Sequence, residues 1–132
     1  MNRYKFFILS LTLICVASLS AKDYYATDFG VIADGKTLNT NSIQKGIDFV
    51  NKLGGGRLVF TAGNYLTGSI YLKSNVTLHL EEGATLLGST NPWDYEKDSY
   101  IRWMSMIFAV KQQNIGITGK GTINGRGFQT AN

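Results

Sequence analysis

Cysteine is nearly missing from this sequence: Cys15 is the only one in 132 residues. No disulfide framework can form within the chain, so its fold must hold through packing and hydrogen bonds. Histidine is as scarce, and any histidine chemistry must use His79. Clustered charge is also lacking. Thirteen basic and nine acidic residues are scattered along the chain, which leaves no basic footprint for nucleic acid. No apolar run reaches the roughly 20 residues of a membrane-spanning helix.

The longest apolar run, from Phe6 to Val16, follows Arg3 and Lys5 and is followed by the small residues Ala17, Ser18, Ser20 and Ala21. A positive start, a short apolar centre and a small-residue exit predict a secretory signal peptide over residues 1–21, cleaved after Ser20. Cys15 lies inside it. Lipid anchoring there would want a small residue just before the cysteine, and Ile14 is not small. Loss of the signal takes two basic residues and no acidic one, lowering the formal charge from +4 to +2. The expectation is an exported chain with no stable membrane insertion.

Residues 27–36, "TDFGVIADGK", predict a short strand closing on an Asp34-Gly35 turn. One helix comes next. Ile43, Ile47, Val50 and Leu53 recur at helical spacing, Asn41 with Gln44 makes a capping-box pattern, and Gly54 to Gly56 ends the run. Beyond it only short runs of branched and aromatic residues occur: 57–60, 69–72, 76–80, 85–87, 106–110, 115–118 and 122–123. Gly or Asn stands between most of them.

Two stretches repeat a pattern. "NVTLHLEEGATLLGS" from Asn75 and "NIGITGKGTINGRG" from Asn114 both read Asn, strand, glycine turn, strand. Strand side chains alternate, so Val76, Leu78 and Leu80 share one face, with Thr77 and His79 on the other. Ile115 and Ile117 then belong in the same inward column one turn further on. Matching Asn and Gly corners suit a coil that stacks on its predecessor. The fold expected is therefore mainly all-β: the first rungs of a right-handed parallel β-helix, with the 41–53 helix capping its first coil. The segment 90–105 reads as a loop inserted between rungs.

These residues resemble the N-terminal part of polygalacturonase-like (family 28) glycoside hydrolases and related rhamnogalacturonases. The opening phrase is met by Phe29, Gly30, Asp34 and Gly35, and the triple glycine by Gly54 to Gly56. Ala62, Gly63, Tyr65 and Gly68 meet the next phrase, with Thr61 where that family usually has proline. Leu72 to Asn75 and "GKGTINGRG" complete the match, which covers residues 28–127. The resemblance implies a pectic polysaccharide as partner, inverting hydrolysis of α-linked galacturonan, and no cofactor. The family's catalytic phrases, Asn-Thr-Asp, Asp-Asp, Gly-His-Gly and Arg-Ile-Lys, are expected beyond Asn132. No residue of this chain inherits a catalytic, substrate-binding or metal-binding role from it. Residues 22–132 are thus expected to be the N-terminal part of a longer β-helix domain. A pectate lyase or epimerase on the same scaffold, and a non-catalytic saccharide-binding or tailspike-like β-helix, stand as alternatives.

The remaining candidates have plain readings. His79 is a surface-strand histidine, without a second ligand at metal spacing. Glu81 and Glu82 are adjacent and solvate a turn, whereas an inverting glycosidase needs carboxyls facing across roughly 6.5–9.5 Å. "WDYEKD", Trp93 to Asp98, reads first as a solvated loop. Trp93 and Tyr95 could instead stack on a sugar, and Asp94, Glu96 and Asp98 could alternate as calcium ligands, although the glycine turn and distal Glu of an EF-hand are lacking. Tyr100 and Trp103 extend the same loop. "GKGTINGRG" is a solenoid corner, since no helix or Lys-Ser/Thr comes after it as a phosphate loop demands. Asn75 heads a glycosylation sequon but is more simply a corner residue.

Overall fold

The computed structural model describes residues 22–96 and 105–126. The expected signal peptide with Cys15, and Asp98, Tyr100 and Trp103 of the expected loop, lie outside the described residues.

Among the described residues nine strands and one α-helix run in this order: β1 (Asp23–Tyr25), α1 (Thr40–Lys52), β2 (Gly56–Phe60), β3 (Gly63–Thr67), β4 (Ile70–Tyr71), β5 (Val76–Leu80), β6 (Ala84–Gly88), β7 (Ile107–Phe108), β8 (Gly116–Gly119) and β9 (Thr122–Asn124). Every pairing between these strands is parallel. One sheet runs β1-β2-β5-β8, a second β3-β6-β9 and a third β4-β7. Each coil contributes in turn to the sheets, and each strand stacks on its counterpart in the previous coil. This is a parallel β-helix.

Side-chain alternation decides which residues fill it. In β5 and β6 buried and half-buried residues alternate strictly, so Val76, Leu78, Leu80, Ala84 and Leu86 point inward. Phe60 and Tyr65 meet edge to face with ring centroids 5.2 Å apart, a geometry that places ring edge against ring face. Tyr65 is fully buried, and its hydroxyl donates to the Thr61 carbonyl at 2.7 Å. Ile117 stands beside Leu78 in register, and Ile115 packs against the core, as the repeat predicts.

The corners match too. Asn75 and Asn114 both take left-handed backbone, with φ of 67° and 54°. The Asn114 carboxamide donates to Asn75 Oδ1 at 3.1 Å. Asparagine tolerates this conformation because its short polar side chain bonds locally, and here it also bonds the corner of the next coil.

Four local expectations change. Residues 26–29 form a 3₁₀ turn after β1, and the strand lies before it rather than over 27–36. The interval between the expected runs 57–60 and 69–72 holds a strand, β3, which begins at Gly63 and Asn64. Asn41 is not the helix cap: α1 begins at Thr40, behind Asn39. The Asn39 carboxamide is buried and bonds both N–H and C=O of Ile32 at 2.8 Å. Gln44 reaches across to both backbone groups of Tyr71 rather than back to its own helix start. Leu53 caps α1 and is exposed, while Ile43, Ile47 and Val50 are fully buried against the first coil.

Candidate functional site

Two surface features carry polar or aromatic groups in organised positions. The first is the outward face of the β1-β2-β5-β8 sheet, where stacking brings distant residues into line. Arg57 donates to both oxygens of Asp23, at 2.7 and 2.8 Å. That fork holds the Asp23 carboxyl below its usual range and the Arg57 guanidinium above its own. Arg57 Nη1 also lies 3.3 Å from His79 Nδ1, and the Thr118 hydroxyl lies 2.7 Å from the same atom. A guanidinium only donates. In that contact His79 Nδ1 is the acceptor. His79 is an outward strand histidine, as expected, and it belongs to a polar ladder that sequence reasoning missed. The signal was present in the phase of Asp23, Arg57, His79 and Thr118, but it is visible only once the coils are in register.

The second feature is the loop after β6. Its residues hold one another and the coil beneath. The Ser89 hydroxyl donates to Asp94 Oδ2, the Tyr95 hydroxyl donates to the Ser89 carbonyl at 2.6 Å, and the Trp93 N–H donates to Asn91 Oδ1 at 3.1 Å. Pro92 opens a 3₁₀ turn over Pro92–Asp94. The Glu96 N–H donates to the buried Ser69 hydroxyl at 2.9 Å, which itself donates to the Ser105 carbonyl at 2.7 Å. Gly68 lets the loop sit this low, because a Cβ there would fall 1.8 Å from the Asp94 carbonyl oxygen. Burial raises the Tyr95 hydroxyl above its ordinary pKa, with Asp94 adding to the effect and Arg126 opposing it.

This loop presents Trp93 with 79% of its surface exposed. Beside it lies a depression of about 360 Å³, walled by Trp93–Glu96, by Ser69, and by Leu38 with the first residues of α1. Small-ligand pockets start at roughly 300 Å³. Tyr95 is a pin in this arrangement, since its hydroxyl is spent on Ser89, and Trp93 is the displayed ring. Glu81 and Glu82 are exposed between β5 and β6, on the turn where they were expected. Among the described residues no group of three or more His, Cys, Asp or Glu could hold a metal ion. No helix among them is long and apolar enough to cross a membrane.

The class of molecule is set by the coils: a parallel β-helix with a helix packed on its first coil. Comparison with known proteins narrows it. The chain is 41% identical over 119 residues to an exo-poly-α-D-galacturonosidase of Dickeya chrysanthemi, covering 78% of this chain and 19% of that protein. A Yersinia enterocolitica family 28 exopolygalacturonase structure is 40% identical, with a TM-score of 0.73, over 85% of this chain and 22% of the other. A solved Parabacteroides merdae ATCC 43184 structure is 51% identical, with a TM-score of 0.74, over 80% of this chain and 45% of the other. No protein-family model matches the chain. The chain therefore resembles polygalacturonase-like glycoside hydrolases in sequence and fold, and it spans about a fifth of the length of the two galacturonan-cleaving relatives.

Proposed function

We propose that this chain is the N-terminal portion of an exported, pectin-degrading glycoside hydrolase that cleaves α-linked galacturonan with inversion. One observation carries the reading: 41% identity over 119 residues to an exo-poly-α-D-galacturonosidase, on a fold that superposes on a family 28 exopolygalacturonase. Fold alone would not license an activity, but identity at this level along most of the chain supports one. The substrate under this reading is a pectic polysaccharide. Residues 1–21 direct export and are removed, and residues 22–132 build the capped first coils on which later coils stack.

The reaction assigns one carboxylic acid to the leaving oxygen and one carboxylate to the attacking water. Neither role falls to a residue of this chain. What the chain supplies is the foundation: a helix-sealed first coil, and corner asparagines that set the register for successive rungs. The test is reducing-end release from polygalacturonate by the protein expressed from its full reading frame. Release of saturated products supports the reading. Unsaturated uronate products would replace it with a lyase, and absence of any cleavage would replace it with a binding β-helix.

A further inference from the structure

We infer that the Asp23–Arg57–His79–Thr118 ladder is a proton-operated latch: neutral His79 shares the Arg57 guanidinium with Asp23, and protonated His79 lets it go. The inference is separate from the hydrolytic reading, because it concerns the outward face of the β1-β2-β5-β8 sheet and is read without substrate.

The ladder crosses four strands. Arg57, on β2, donates to both oxygens of Asp23 on β1, at 2.7 and 2.8 Å. Its Nη1 lies 3.3 Å from Nδ1 of His79 on β5, and the Thr118 hydroxyl on β8 lies 2.7 Å from that same nitrogen. Backbone pairing keeps these groups adjacent, with Val59 beside His79 and His79 beside Thr118 in register. The side chains are therefore free to exchange partners without moving the coils.

The two contacts at Nδ1 answer a proton differently. A hydroxyl both donates and accepts. Thr118 donates to the bare nitrogen of a neutral imidazole and accepts from the N–H of an imidazolium, so this contact outlasts protonation. A guanidinium has donors only. The Arg57 contact exists only while Nδ1 carries a lone pair, and a proton there sets N–H against N–H and cation beside cation. Histidine is the residue type suited to change charge between pH 5 and 8.

The surrounding charges favour a swing over a rupture. Asp23 attracts both Arg57 and a charged His79. Tyr25 on β1 and Glu81 just past β5 also act on Arg57. Beside His79 on β8 stands the uncharged Thr118, with Lys120 exposed beyond the strand end, and Lys22 before β1 lies over the Tyr24 ring. On protonation Arg57 withdraws onto Asp23. The side-chain link between β2 and β5 opens, and the one between β5 and β8 stays.

Nitrogen-15 NMR of the full-length protein, titrated from pH 8 to pH 5 with both side chains assigned through their backbone amides, reads the latch. At pH 8 the His79 ring should show a bare Nδ1 and a protonated Nε2. As the ring takes up its second proton, the Arg57 Nη1 signal should move with the same midpoint. Exchange of its protons with water should quicken roughly tenfold, as one lost charged hydrogen bond implies. The Arg57 Nε signal, which reports the fork on Asp23, should persist. In His79→Gln, which cannot titrate, the Arg57 step should vanish; if that variant does not fold, coincidence of the two midpoints in the unaltered protein still decides. An Arg57 signal indifferent to the His79 titration overturns the inference. So does a His79 ring that carries its proton on Nδ1 at pH 8, or one that takes up no second proton by pH 5.

Discussion

Asp34 shows how much one surface side chain can organise. Its carboxylate accepts from the N–H groups of Lys36 and Thr37, at 2.9 and 2.7 Å, and from the Thr37 hydroxyl at 2.7 Å. These bonds lower its pKa from 3.8 to about 2. A carboxyl depressed in the folded state stabilises fully above its unfolded value and loses that contribution as pH falls through the folded one. The turn should therefore weaken between pH 3.8 and about 2. Carbon-detected NMR titration of the Asp34 carboxyl should place its midpoint near the lower figure, and Asp34→Ala should flatten the acid limb of the stability curve across that window. Asn114 makes a second residue-scale case. Its φ of 54° should tolerate Asn114→Gly with little loss, whereas Asn114→Val should cost about 1–2 kcal/mol, read from urea midpoints of the two variants. Asn75 and Asn114 were legible in the sequence as corners because each heads a short strand and a glycine turn. The bond between their side chains was not, since it needs the register of two coils.

At the scale of elements, alternation made β5 and β6 readable and its absence hid β3. Gly63-Asn64 carries turn residues, yet β3 is fixed by pairing with β6 along its whole length, so tertiary pairing overrode local preference. The helix was readable from Ile43, Ile47 and Val50, while its cap was not. The sequence pointed to Asn41, but the helix starts at Thr40 behind Asn39, whose carboxamide is docked on the Ile32 backbone. Because Ile47 is fully buried, Ile47→Ala should destabilise the protein by about 2–5 kcal/mol, measured by urea denaturation. The loop after β6 depends on Gly68 in a similar way. Gly68→Ala places a Cβ against the Asp94 carbonyl oxygen, so the loop must lift. Its expected signature is a displaced Trp93 resonance and faster amide exchange at Trp93 and Glu96, with exchange in β2 and β5 unchanged. Persistence of the native Trp93 environment in that variant would show that the loop does not rest on Gly68. The candidate site escaped the sequence for a related reason: "WDYEKD" shows a tryptophan and acids, but not that Leu38, Thr40 and Ser69 close the other side.

For the molecule as a whole, stacking is the organising force. Each coil buries its inward column against its neighbours, and solenoids gain stability mainly through such contacts. The mainly-β architecture of the described residues could be anticipated from short strands punctuated by Gly and Asn, and their one α-helix from the stripe of Ile43, Ile47 and Val50. The Asp23–Arg57–His79–Thr118 ladder could not, because its members come together only through coiling. Proton NMR of polygalacturonate treated with the full-length protein decides whether this β-helix begins a polygalacturonase-like hydrolase, as proposed. Such an enzyme releases saturated galacturonate first as the β-anomer, inverted from the α-linkage. Retention of the α-anomer, an unsaturated product or an unaltered polymer would contradict the proposal.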